Sequence, residues 1–255
     1  ETRAAKRPRA WLAIERMRSP LYKSVQRRLA DYFRDELREL QAMVPELSPA
    51  TAADRLEEAV ENRRDELQRL MDGLSQSISD RFARHEYEQF KGETKRAATD
   101  PWQTYISSWI AENGAQYVTH ITETTRQQIR EELTAGVNAG EHIRELAARL
   151  ETLYLTQIIP HRSETIARTE VLSASNLGSY AGAKATGLPL KKRWLATPDA
   201  RTRLTHSMAN GQEVMLDEPF HVGGYELMFP GDNSRGAGAE EIVNCRCTLV
   251  YAVEG

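Results

Sequence analysis

Through the first 187 residues, apolar side chains recur mainly at three- and four-residue steps among abundant Arg, Glu and Asp. This is the pattern of amphipathic helices. From about Asp54 to Phe90 the stripe is Leu56, Val60, Leu67, Leu70, Leu74, Ile78 and Phe82, and Gly73 is a natural point for a break into two helices. Pro45 and Pro49 flank a turn in which Ser48 is placed to cap the next helix. Asp100-Pro101 opens another, because a capping acid followed by a first-turn proline suits a helix start. That helix carries Trp102, Ile106, Trp109, Ile110, Ile121 and Ile129, and should end near Gly136. Asn138, with Glu141 three residues on, predicts the capped start of a short helix buried through Leu146, Leu150 and Leu153. A last long helix is expected from about Arg162 to Thr186, stopped by Gly187-Leu188-Pro189.

Past Pro189 the texture changes. Glycine, proline, asparagine and aspartate become frequent, and apolar residues fall in short runs: Trp194-Leu195, Val214-Met215-Leu216, Tyr225 to Phe229, and Cys247 to Val253. Turns are expected at Val222-Gly223-Gly224 and Pro230-Gly231-Asp232-Asn233. The fold class is therefore α+β: a long, largely helical N-terminal part, then a small, mainly antiparallel β module packed on the last helices. Three stretches follow: a helical extension over 1–100, helices over 101–187, and a β-rich part over 188–255. The run of small or polar residues from Ser173 to Ala183 would let its helix approach a neighbour closely.

Composition narrows the class. Among 255 residues, 40% are hydrophobic and 28% charged, which suits a folded protein and not a disordered one. No run approaches the roughly 18 apolar residues of a membrane span, and the basic start is not followed by the apolar stretch of a signal peptide. The first residue is glutamate, as expected of a piece of a longer product. Net charge is -3, yet residues 1–28 hold nine Lys or Arg against Glu1 and Glu15, while residues 210–255 hold eight acids against Arg235 and Arg246. The basic arm (Arg7, Arg9) and the segment Lys191, Lys192 and Arg193 are candidate phosphate contacts, although no nucleic-acid-binding motif accompanies them.

Candidate chemistry concentrates in the β-rich part: Trp194, Asp199, Arg201, His206, Gly211, Phe220, Pro230-Gly231-Asp232, Glu240 and Asn244-Cys245-Arg246-Cys247. Behind a helix bearing Ile166-Ala167-Arg168-Thr169-Glu170-Val171, this series resembles the C-terminal module of the Mu F-like minor head proteins of tailed bacteriophages. The resemblance covers roughly residues 104–253, about 60% of the chain. It implies a minor head protein at or near the portal vertex, acting in head morphogenesis and in genome packaging or ejection. The implied partners are the portal protein, the major capsid protein or scaffold, and packaged double-stranded DNA. The implied location is the virion, with the host cytoplasm during assembly and no membrane. It also implies a structural part for Arg168 and Glu170, fixing the sheet module onto the helix; their spacing alone says only that Glu164 and Arg168 suit an ion pair.

Read from the residues, the constellation has three explanations. It is expected foremost to be a structural polar network of Arg168, Glu170, Trp194, Asp199, Arg201, His206, Asn244, Cys245, Arg246 and Cys247, with no cofactor and no catalytic residue. A second reading is a zinc site. Cys245 and Cys247, at i and i+2, face one side of an extended chain, and His206 and His221 would complete four N/S ligands, although the spacing is that of no known finger. A third is a Cys–His active site with Asp199 orienting the histidine, of the kind a toxin-like virion enzyme would use. A disulfide between the two cysteines would close a very tight ring, so reduced thiols are expected.

Overall fold

The computed structural model describes residues 9–92 and 100–254. Six longer helices come first: α1 (Arg9–Met43), α2 (Pro49–Asn62), α3 (Arg64–Lys91), α4 (Gln103–Asn138), α5 (Ile143–Leu153) and α6 (Ser163–Ala185). Five strands follow: β1 (Leu190–Leu195), β2 (Glu213–Met215), β3 (Phe220–Val222), β4 (Tyr225–Leu227) and β5 (Thr248–Val253). Two short helices, α7 (Leu204–Ala209) and α8 (Ala239–Ile242), lie among them. The α+β expectation holds. The chain forms two compact units, each assembled from separate stretches.

One unit comprises Ser24–Gly73 and Gly114–Ala167. Its core is the expected stripe, with Leu56, Val60, Leu67, Ile129, Leu146 and Leu150 all buried. The break in the stripe falls at Arg63 and not at Gly73, which lies inside α3 with nothing within 4 Å of an added Cβ. Arg63 is buried and ion-pairs with Glu39 and Glu66, which gives the corner a reason the apolar pattern does not contain. Ser48 does precede α2, but its hydroxyl meets that of Thr51 and makes no cap bond. The start of α5 is also displaced. His142, whose N–H donates to the Glu145 carboxylate (2.7 Å), takes the place expected of Asn138, and Glu141 instead pairs with Arg149. A wider-wound π-helical segment, Tyr154–Arg162, joins α5 to α6 and contains Pro160, which has no N–H to give. Inside this unit Tyr154 donates to buried Glu36 (2.6 Å), and burial lifts the Glu36 carboxyl to about 7.

The other unit comprises Glu1–Lys23, Leu74–Asn113 and Arg168–Gly255. β1 is central in a three-stranded antiparallel sheet ordered β2-β1-β5, with Trp194 opposite Leu249. β3 and β4 form a hairpin whose Gly223-Gly224 turn has both φ angles positive (60° and 88°). Such a two-residue loop is what glycine pairs favour, and it is the turn expected from sequence. Within this unit α6 and α3 come close enough for an added Cβ on Gly178 to sit 2.1 Å from the Ser79 carbonyl oxygen. Gly182 meets the Ala83 carbonyl in the same way, at 2.2 Å. The small-residue run of α6 is thus a helix-packing surface. The Ser79 hydroxyl adds a hydrogen bond to the Ala174 carbonyl across it (2.8 Å).

Candidate functional site

The Asn244–Cys247 segment is placed by backbone geometry before any side chain acts. α8 ends at Ile242, and Asn244 takes a left-handed conformation (φ 57°), which asparagine tolerates better than most residues. Its N–H donates to the Thr169 hydroxyl of α6 (3.1 Å). α6 then holds the rest of the segment through Asn176, whose amide donates to the carbonyls of Cys247 (3.2 Å) and Pro230 (2.9 Å). Ser173 donates to the Gly231 carbonyl (2.8 Å), so one polar face of α6 anchors both the Pro-Gly-Asp turn and the cysteine segment. From the other side comes Arg18 of α1, only 1% exposed, donating to Ser175 (2.7 Å) and Asn176 (2.7 Å).

These ties bring both thiols to one imidazole. His206 Nδ1, carried by α7, lies 3.5 Å from Cys245 Sγ and 3.4 Å from Cys247 Sγ. The three side chains are 2%, 3% and 1% exposed. The other ring nitrogen, Nε2, lies 2.8 Å from Glu241 Oε2, at ion-pair distance but off the axis of a well-aligned hydrogen bond. The same carboxylate oxygen accepts from Thr205 (2.9 Å), and the Trp194 ring meets the imidazole edge-on at 5.6 Å. Burial opposes charge on Cys245, yet its contacts with Cys247 and His206 outweigh that and hold its thiol well below the ordinary range. Cys247, a free thiol hydrogen-bonded to the Cys245 sulfur and buried, is pushed well above it. Burial also opposes charge on His206, but the Cys245 sulfur and Glu241 raise it. Beside the cluster, Arg246 grips Asp199 with both guanidinium nitrogens and holds that carboxyl down at about 2.

Residues 127–250 match the family described as Phage Mu protein F like protein. The chain carries a Mu F-like domain. It is 34% identical over 132 residues to the NAD(+)--arginine ADP-ribosyltransferase EFV of Enterococcus faecalis, covering 51% of this chain and 26% of that protein. It is 30% identical over 126 residues to the minor head protein GP7 of Bacillus phage SPP1, covering 48% of this chain and 39% of that one. The chain thus spans well under half the length of either relative. No solved structure matches it.

Within the Mu F-like domain the expected residues separate into those that converge and those that do not. His206, Cys245 and Cys247 meet; His221 is exposed on β3 and lies outside the cluster. Asp199 does not orient His206. It serves Arg246 and the Arg201 backbone N–H (3.0 Å), while the Arg201 side chain is exposed. Arg168 is exposed and Glu170 is buried against the Ser75 hydroxyl, whereas Thr169, between them, holds the cysteine segment. Lys192 is wrongly placed for a phosphate contact. Central in the sheet and 0% exposed, its ammonium donates to the Met228 carbonyl (2.8 Å) over the Tyr180 and Phe220 rings. Burial pushes its pKa down to about 7. Lys191 and Arg193 are exposed and paired with Glu254 and Glu213, Arg9 is exposed, and Arg7 lies outside the described residues.

Sequence reasoning missed Glu241, Asn176 and Arg18. Glu240 was singled out instead, but it points to the Tyr225 hydroxyl (2.8 Å). The asparagine belongs to a run whose small side chains point to helix packing, and the arginine to a basic stretch whose charge points to nucleic-acid contact.

Proposed function

We propose that this protein is a minor head component of a tailed bacteriophage. It works by binding at or near the portal vertex during head assembly and in genome packaging or ejection. The observation that carries this reading is the Mu F-like match over residues 127–250, together with 30% identity over 126 residues to a protein named as a minor head protein. Partners on this reading are the portal protein, the shell or scaffold, and packaged DNA; its location is the particle. The absence, among the described residues, of a helix long and apolar enough to cross a membrane is compatible with it.

A binding role, not catalysis, is also favoured by the burial of the one Cys–His group, since a nucleophilic thiol must reach its substrate. Contact surface is at hand. Leu204 and Met208, four residues apart on α7, are 77% and 78% exposed and lie on one side of that helix. The match to an ADP-ribosyltransferase favours a second reading, in which the chain belongs to a longer protein with an enzymatic function elsewhere along it. Peptide mass spectrometry of gradient-purified particles from the encoding phage separates the two. Recovery in the particle fraction at a constant ratio to portal protein is expected. Recovery only in the soluble lysate would sink the head-protein reading.

A further inference from the structure

The Cys245–Cys247–His206 group is not explained by ordinary packing. A buried free cysteine usually behaves as a small apolar side chain among apolar neighbours. Here two of them face the same imidazole nitrogen, and the opposite nitrogen faces a buried carboxylate. Nδ1 has one lone pair and can accept from only one thiol, so a purely hydrogen-bonded network has to turn the second thiol to the other sulfur, although both sulfurs stand equally close to the ring nitrogen. A nucleophilic dyad fails too: it has no use for a second thiol at the same distance, and the 1–3% exposures shut substrate out.

Metal coordination uses every part of the arrangement. With Zn–S bonds of about 2.3 Å and Zn–N bonds of about 2.0–2.1 Å, tetrahedral angles place N and S ligands about 3.5 Å apart. The two N···S separations here are 3.5 and 3.4 Å, the edges of such a tetrahedron. Two thiolates and one neutral imidazole cancel the charge of a divalent ion within the ligand set itself. The donor set, two sulfurs and one nitrogen, selects a thiophilic ion and disfavours magnesium or calcium. Glu241 lies at ion-pair distance from Nε2, on the side where the carboxylate partner of a metal-bound histidine acts, and a proton held on Nε2 leaves the Nδ1 lone pair to a metal between the sulfurs. Thr205, on the same carboxylate oxygen, holds Glu241 in turn.

We propose that His206, Cys245 and Cys247 bind a zinc ion, with a water molecule in the fourth position and Glu241 as the positioning residue for His206. Binding releases the two thiol protons and forms two Zn–S bonds and one Zn–N bond, with no change of oxidation state. The ion would pin α7, through His206, to the segment entering β5, with α8 linked through Glu241. The site stands independently of the head-protein reading and is tested without phage components.

The full chain, purified without chelator, is analysed for bound metals and then titrated with Co(II) after zinc removal. Expected are stoichiometric zinc, retained through gel filtration, and a thiolate-to-cobalt charge-transfer band with the visible bands of a tetrahedral site. Cys245→Ser and Cys247→Ser should each abolish the charge-transfer pattern. Because such variants risk misfolding, Glu241→Gln supplies the independent arm: it keeps all three ligands and should weaken zinc by about 10–100-fold in a chelator competition. A folded parent chain with no zinc and no cobalt spectrum overturns the proposal. So does a cobalt spectrum that survives loss of both cysteines, or copper in place of zinc. An unchanged affinity in Glu241→Gln removes the positioning role.

Discussion

Glu86 shows how a single buried side chain sets a measurable property. It lies buried beside the Ser179 hydroxyl, which donates to it at 2.9 Å, and burial lifts its carboxyl to about 7 from an ordinary 4.5. The folded state prefers the neutral acid. Its stabilising contribution is therefore fully present below about 4.5 and is lost as pH rises through about 7. Glu86→Gln keeps an acceptor for Ser179 and removes the charge. It should raise the unfolding midpoint at pH 8 and leave it nearly unchanged at pH 4. The gain is at most about 3 kcal/mol, at about 1.4 kcal/mol per pH unit, and less if the amide hydrogens find no partner. A thermal-melt series showing the same pH profile for parent and variant would contradict this. Legibility at this scale was uneven. The residue types of the cluster could be read because cysteines spaced by one residue are unusual, but nothing in the spacing chose His206 over His221. Arg18 and Lys192 looked like surface charge and proved buried, because their partners are carbonyls and hydroxyls far away in sequence.

At the scale of elements, periodicity carried the helices well and their ends less well. The stripes through α2, α3, α4 and α5 were legible because each must bury one face. The break at Arg63 and the start of α5 at His142 were not, because ion pairs and a backbone-to-carboxylate bond decide them. α7 and α8, six and four residues long, are too short to show a period. The two-glycine turn between β3 and β4 was legible because few other residues accept both positive φ angles. The close packing of α3 and α6 makes a paired test. Gly178→Ala places a methyl 2.1 Å from a backbone oxygen of the facing helix, so the helices must separate. A loss of about 1–3 kcal/mol or more is expected in urea unfolding. Gly73→Ala, inside α3 with nothing within 4 Å, should instead gain up to about 1 kcal/mol from helix propensity. Equal effects at the two positions would contradict the packing described here.

At the scale of the molecule, the Mu F-like match over 127–250 draws on both compact units, since the first unit holds Gly114–Ala167 and the second Arg168–Gly255. The recognisable motif is not one contiguous lobe. It combines a helical lead-in with a sheet module held by α6, which is why sequence analysis could place the motif without foreseeing the units. The segment Lys191, Lys192 and Arg193 weighs little for DNA binding once Lys192 is internal and Lys191 and Arg193 are paired with acids. Any remaining DNA affinity should fall steeply with added salt, because phosphate contacts release counterions. The most direct test of the central claim is co-sedimentation of the purified chain with portal rings and with empty shells at physiological salt, beside a DNA-only control. The expected result is saturable binding to portal or shell, reduced in a Leu204→Asp/Met208→Asp variant that remains folded. A folded chain that sediments with neither would contradict the account, as would one retained only by DNA and released by modest salt.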